Sequence, residues 1–193
     1  MRVLSILLIV VFKATLLVAQ TSNPDKERYA IVEAALLADD AFNLHATLDN
    51  DRLRTLTSGL KQIKTVDTTI TFDEATSARL QSQLTSTSIK MWDKKKIYRF
   101  EVTDHDPIAG LDTEGNAKLD SAQHRLKNKI VRLHRASLPL FTDQQSAFLI
   151  VSGKVVTFQD GDAILSSNYS KVYFLRLVKK RWKITRFILL SSN

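Results

Sequence analysis

The strongest structural signal in the chain is residues 147–190, AFLIVSGKVVTFQDGDAILSSNYSKVYFLRLVKKRWKITRFILL. Four runs rich in β-branched and aromatic residues fill this segment, and turn-forming residues separate them. Gly153 interrupts the first pair, Asp160-Gly161 is typical of a tight hairpin, and Lys179-Lys180-Arg181 is a short polar link. Strands with such short connections pair antiparallel. The segment therefore predicts a C-terminal β-meander with strands at 147–151, 155–158, 172–178 and 182–190.

The region before the meander predicts helices. Asn23 can cap a helix, and Pro24 suits its first position. Apolar residues then recur on one face at spacings of three and four: Tyr29, Val32 and Leu36. We expect this helix to extend from about residue 24 to residue 42 and to cover the sheet.

The middle of the chain carries weaker patterns. Residues 68–72 predict a short strand, and Asp73 can cap a second helix. The alternating apolar residues of 98–102 predict another strand. The segment 119–133 has an apolar stripe typical of an amphipathic helix: Leu119, Ala122, Leu126, Ile130 and Leu133. Together the patterns predict an α+β fold, in which N-terminal helices pack on the C-terminal antiparallel β-meander in a single domain.

The first residues, MRVLSILLIVVFKATLLVAQ, predict a secretory signal peptide. Arg2 supplies the positive charge, an apolar stretch follows, and the small residue Ala19 closes it. The alternative is a membrane anchor, but Lys13 divides the apolar run into pieces shorter than the roughly 20 residues that span a bilayer. We therefore expect a signal peptide at 1–19 and an exported domain at 20–193, periplasmic or extracellular and not integral to the membrane once processed.

Composition limits the class of protein. The chain has no cysteine, which excludes disulfides and a cysteine-linked lipid anchor, so the exported domain has to be stabilised by burial. At 44% hydrophobic and 25% charged residues it is close to globular averages. The net charge is +8, and removal of Arg2 and Lys13 with the signal peptide leaves +6. The mature domain is basic.

The C-terminal half resembles that of uncharacterised exported bacterial proteins. In those proteins a P-x-F segment precedes an alanine-led strand and a closing W-K-I or W-K-V strand. The matching residues here are Leu138-Pro139-Leu140-Phe141, Ala147-Phe148-Leu149-Ile150, Tyr173-Phe174-Leu175 and Arg181-Trp182-Lys183-Ile184. The Ala19-Gln20 junction is similar to their signal cleavage sites. The resemblance covers roughly residues 120–190 and implies export and a β-meander, without an activity.

Candidate catalytic and metal-binding residues are few. The histidines are His45, His105, His124 and His134. A zinc site without cysteine would need them gathered with carboxylates, but His124 and His134 would point about 80° apart on the predicted helix. Surface or capping roles are expected for them. There is no Gly-x-Ser-x-Gly motif and no glycine-rich phosphate loop, so the catalytic residues stay unassigned and no metal or cofactor is expected.

One acidic segment, Asp104 to Asp120, could supply oxygen ligands to a calcium ion. Its central sequence, Asp112-Thr113-Glu114-Gly115-Asn116, places the glycine differently from an EF-hand and lacks the closing glutamate. A solvated loop is the better interpretation of this segment.

Basic residues give the remaining indication of function. No acidic residue follows Asp162, and the tail predicts a polyanion-binding site formed by Lys171, Arg176, Lys179, Lys180, Arg181 and Lys183. A second basic group is Lys90, Lys94, Lys95, Lys96 and Arg99. Because export disfavours nucleic acid, the expected partner is an anionic lipid or glycan surface, or another exported protein. The alternatives are that these side chains only solvate the hairpin, or that the protein is a small exported hydrolase with a site in the sheet cleft.

Overall fold

The computed structural model describes residues 24–39, 41, 43–57, 63–64, 69–70, 72–104, 117–118, 130–159 and 162–192. The predicted signal peptide, the Asp160-Gly161 turn and most of the acidic segment lie outside these residues. The described helices are α1 (Pro24–Ala38), α2 (Asp51–Thr57) and α3 (Glu74–Ser86). The described strands are β1 (Asn43–His45), β2 (Ile63–Lys64), β3 (Thr69–Ile70), β4 (Glu101–Thr103), β5 (Ala117–Lys118), β6 (Ile130–Ala136), β7 (Leu140–Phe141), β8 (Ser146–Gln159), β9 (Asp162–Val178) and β10 (Arg181–Ser192). The α+β mixture predicted from the sequence is confirmed.

The sheet has a mixed topology. Its main order is β10-β9-β8-β6-β1-β4, with β5 also paired to β9 and β7 to β8. β8, β9 and β10 pair antiparallel along the chain, as the meander prediction requires, and β6 joins β8 antiparallel. β1 instead pairs parallel with both β4 and β6. β2 and β3 form a separate two-stranded sheet.

The prediction of two strands at 147–151 and 155–158 was wrong, because both belong to the single strand β8. Gly153 lies inside this strand opposite Tyr169 of β9. A Cβ atom at Gly153 would come within 2.3 Å of the Tyr169 ring. Glycine is needed at this position because the aromatic ring lies where a side chain would be. A glycine inside a strand can therefore mark a close approach and not a turn.

The short link between β9 and β10 is confirmed as a tight turn. Lys179 and Lys180 both adopt positive φ angles, 50° and 62°. Two consecutive residues of this kind form a type I′ turn, whose twist matches that of antiparallel strands. Residues other than glycine, asparagine and aspartate are uncommon in this conformation, so the two lysines occupy it at some cost in stability.

Two helix predictions are confirmed, and of the third, predicted at 119–133, only residues 130–133 lie within the described residues. α1 ends at Ala38, before the expected residue 42. Asp73 caps α3 through a 2.7 Å hydrogen bond that the Thr76 amide donates to Oδ1. Residues 130–133, expected in a helix, belong instead to β6, which pairs with β8 along its whole length. Leu133, His134 and Ala136 are all buried, so this strand lacks the alternation that would have identified it.

The strand predicted at 98–102 is observed at 101–103, so it is shorter and begins later in the chain. Of this segment, only residues 101–103 form a strand, β4, which pairs with β1. Tyr98 precedes β4 and its side chain is exposed. Of the strand predicted at 68–72, residues 69–70 form β3, Phe72 lies outside a strand, and residues 68 and 71 lie outside the described residues.

One hydrophobic cluster includes residues of α1, α3 and the strands β7 to β10. The predicted stripe of α1 is buried in it, together with Ile31 and Ala35. Trp182 of β10 is also buried, and its indole N–H donates a hydrogen bond to Glu27 of α1. Within the described ranges, no helix has the length and apolar character needed to span a bilayer.

Candidate functional site

Five of the six residues predicted to bind polyanions lie together at the turn end of the β9–β10 hairpin. We call this group the basic hairpin end, and all its side chains are exposed: Arg176, Lys179, Lys180, Arg181 and Lys183. Arg176 and Lys183 are direct cross-strand partners, so their side chains share one face of the sheet. Arg186 extends the row, with its guanidinium 5.4 Å from the centroid of the Phe174 ring.

No acidic side chain among the described residues lies within ion-pair distance of the basic hairpin end. Asp143 is a described acid on which a cation of the group acts electrostatically. Its pKa is lowered mainly by the hydrogen bond from the Gln145 amide, with a smaller contribution from Arg176. The five cations are therefore free to meet an external anion.

Lys171, the sixth predicted residue, belongs to a different environment. Successive residues of a strand point to opposite faces, which places Lys171 opposite in direction to Arg176. Its ammonium donates to Oδ1 of Asp39, and it lies 4.6 Å from the centroid of the Tyr169 ring. The structure thus does not bring Lys171 together with the other five.

The environment of Lys171 is a buried polar cluster that the sequence analysis missed. We define the buried polar cluster as Asp39, His134, Tyr169, Lys171 and Tyr173. Tyr173 also donates its hydroxyl hydrogen to Oδ1 of Asp39, whose side chain is 0% exposed. Oδ2 of Asp39 has no hydrogen-bond partner among the described residues. Burial, followed by the interactions with Asp39, raises the pKa of both tyrosines, which therefore stay protonated.

His134 connects this cluster to the centre of the sheet. The residue is 1% exposed, contrary to the expected surface or capping role. Its Nδ1 lies 3.3 Å from the Asn43 carbonyl oxygen and its Nε2 lies 2.9 Å from the Tyr169 hydroxyl. A carbonyl can only accept, so Nδ1 carries the hydrogen and Nε2 accepts from Tyr169. Burial lowers the pKa of His134, and the ring is neutral at pH 7.

The cluster contains the carboxylate and imidazole that a hydrolase in the sheet cleft would need. Both Asp39 and His134 are closed to solvent, and the described partners of the His134 ring are a carbonyl and a tyrosine hydroxyl, not a serine or threonine nucleophile. This geometry favours anchoring of the C-terminal end of α1 to the sheet over hydrolysis. The sequence offered one signal of it, because Tyr169, Lys171 and Tyr173 are spaced by two and share a face.

A third feature is a groove of about 430 Å³ beside α1. We call it the α1 groove, and its lining residues are Asp25, Lys26, Tyr29, Ala30, Glu33, Lys96 and Tyr98. Lys96 belongs to the second basic group noted in the sequence, at residues 90–99. The groove therefore combines two tyrosines with lysines and carboxylates.

The described residues contain no group of three or more histidine, aspartate or glutamate side chains arranged to hold a metal ion. Of the acidic segment, the structure describes Asp104, Ala117 and Lys118, so the other carboxylates that could bind calcium lie outside the described ranges. No protein-family model, curated protein or solved structure matches the chain. Its function is therefore argued from its own residues.

Proposed function

We propose that this chain is an exported, single-domain α+β binding protein that attaches to an anionic phospholipid surface through the basic hairpin end. In this proposal the N-terminal helices pack on the C-terminal meander and hold the hairpin rigid. The observation that carries the proposal is the placement of five exposed cations at one tip, with Arg176 and Lys183 directly opposite each other.

The basic hairpin end has two features that lower the stability of the fold. Like charges opposite each other in adjacent strands are destabilising, and lysines at positive φ are also unfavourable. Both features occur within the same eight residues, from Arg176 to Lys183. An anionic surface would offset the repulsion, since each lysine or arginine near such a surface contributes about 1 kcal/mol to binding.

The rest of the chain supports an extracytoplasmic role. The predicted signal peptide at 1–19 and the resemblance of residues 120–190 to exported proteins agree with one another. The Trp182 indole fixes the inner face of the hairpin to α1 through Glu27, while Arg181 and Lys183 on either side point outward. A rigid tip of this kind presents its charges together.

Binding to lipid vesicles tests the proposal. Sedimentation with vesicles of phosphatidylcholine containing phosphatidylglycerol should show binding that weakens steeply with salt, because exposed charges are screened over about 10 Å at 0.1 M. The variant K179E/K180E/R181E should partition about 100-fold less, as expected from three lost contributions of about 1 kcal/mol.

The matched control is K90E/K94E/K95E, which changes the net charge equally in another exposed lysine-rich segment. It should retain most of the binding if the tip is the site. Equal loss in the two variants would mean that only net charge matters, and equal binding by the wild type and the hairpin variant across the salt series would refute the proposal. Thermal unfolding of each variant confirms that the fold is kept.

A further inference from the structure

A hydrogen bond and a ring contact fix Tyr29, which lines the α1 groove. Trp92 is buried behind it, donates its indole N–H to the Ala136 carbonyl at 3.1 Å, and meets the Tyr29 ring edge-on at 5.4 Å. The Tyr29 hydroxyl also accepts a hydrogen bond from the Asp93 amide. The groove therefore keeps its shape without a ligand, as small-molecule sites generally do.

The carboxylates of the groove are already engaged by the protein. Asp25 pairs with Arg28 at 3.0 Å and accepts a hydrogen bond from the Ser88 hydroxyl. Glu33 accepts a 3.0 Å hydrogen bond from the Tyr98 amide. These contacts hold both acids against the wall and hold the 93–98 segment against α1.

The lysines and one tyrosine remain available. Lys26 and Lys96 are exposed and form no ion pair with a described residue, while the Lys96 ammonium lies 5.4 Å from the centroid of the Tyr29 ring. Tyr98 is 84% exposed, although its backbone is fixed by Glu33. An exposed aromatic ring on a fixed backbone, lining the same groove as two lysines, suits a ligand that has both an apolar face and a negative charge.

We propose that the α1 groove binds an acidic saccharide, with a sugar ring against Tyr98 and its carboxylate or sulfate held by Lys26 and Lys96. A sugar ring presents C–H groups on its faces and hydroxyls at its rim, which match the Tyr98 ring and the polar groove edge. A volume of about 430 Å³ accommodates a unit of one or two sugars. The site shares no residue with the basic hairpin end and does not depend on the membrane proposal.

Isothermal titration with three disaccharides tests this site. Digalacturonate and a sulfated heparin disaccharide distinguish carboxylate from sulfate, and cellobiose is the neutral control. The wild type should bind at least one acidic disaccharide about tenfold or more tightly than cellobiose. Tyr98→Ala and the pair K26Q/K96Q should each weaken that binding about tenfold, the scale on which truncation of an anchoring side chain acts. Saturation transfer from protein to sugar should weaken in the Tyr98 variant.

The hairpin variant K179E/K180E/R181E is the matched control and should bind the disaccharide as the wild type does. The saccharide proposal fails if the wild type binds no acidic disaccharide at millimolar concentration, if cellobiose binds equally well, or if the hairpin variant and not the groove variants loses binding. Vesicle binding by the groove variants is measured in parallel. Groove variants that lose saccharide binding but keep vesicle binding support two separate sites. If the wild type binds vesicles but no acidic disaccharide, the groove site is overturned and the membrane proposal stands.

Discussion

The two ends of the β9–β10 hairpin place their cations in opposite environments. Near the start of the paired region, Lys171 is 25% exposed and donates to a carboxylate that is closed to solvent. At the turn, Arg176 and Lys183 face each other in water without a described acid at ion-pair distance. Arg176 lies only five positions after Lys171, yet opposite strand faces pair Lys171 with a buried carboxylate and leave Arg176 exposed without a described acidic partner.

The comparison also shows what each arrangement contributes to stability. A buried charge pair costs desolvation and is stabilising only while both partners are present, so removing one is harmful. Exposed like charges lower stability by a small amount at all times and are easily improved by substitution. The buried polar cluster should therefore be sensitive to substitution, whereas the basic hairpin end should tolerate it.

The largest effect is expected for Asp39→Asn. The substitution keeps a hydrogen-bond acceptor for Lys171 and Tyr173 but removes the counter-charge, which leaves a mostly buried ammonium uncompensated. We expect a loss of about 3 kcal/mol in the free energy of unfolding, measured by urea denaturation. Asp143→Asn, beside the hairpin end, is the control and should change stability by less than about 0.5 kcal/mol. Equal effects of the two substitutions would abolish the distinction between the regions.

The second effect concerns pH and His134. Its ordinary pKa is 6.5, and burial lowers the pKa in the folded state although Asp39 opposes this and Arg132 and Lys171 add to it. Because the unfolded chain then binds the proton more readily, this contribution to stability is complete above pH 6.5 and is lost as the pH falls below it. The loss should approach 1.4 kcal/mol for each pH unit between the two pKa values.

His134→Gln isolates this contribution, since glutamine can still bond the Tyr169 hydroxyl but does not titrate near neutrality. Unfolding free energies of the two proteins between pH 7.5 and pH 5 give the measurement. The wild type should become steeply less stable relative to its value at pH 7.5, and the variant should change less. Parallel curves would show that protonation of His134 is not opposed by its surroundings.

The sequence predicted the parts of the fold whose signals are local. The Asp73 cap, the Pro24 start of α1 and the alternating β9 and β10 strands each depend on a few neighbouring residues. The exposed tip could be predicted for the same reason. β6 could not, because its buried residues follow no alternation, and its apolar residues fit a helical stripe equally well.

The buried polar cluster was missed for a different reason. Asp39 and Lys171 are 132 residues apart and meet only because α1 ends over β9. No local pattern marks Asp39 as buried, since aspartate is most often exposed, and the charge of Lys171 grouped it with the C-terminal cations. The α1 groove shares this difficulty, because Tyr98 and Glu33 are 65 residues apart. Chemistry built from distant residues requires the tertiary structure.

The smallest expected effect is a gain in stability, and it is expected at the basic hairpin end. Lys183→Glu converts the repulsion with Arg176 into an attraction across the strands, so the protein should become more stable by about 0.5 kcal/mol in low salt. The gain should shrink at 1 M salt, where charges are screened over about 3 Å. The double variant R176E/K183E restores a pair of like charges and should lose the gain, which completes a double-mutant cycle for the pair. If Lys183→Glu instead lowers stability by as much as Asp39→Asn, the tip is as tightly integrated into the fold as the buried polar cluster. It would then no longer be a surface on which cations are retained for binding.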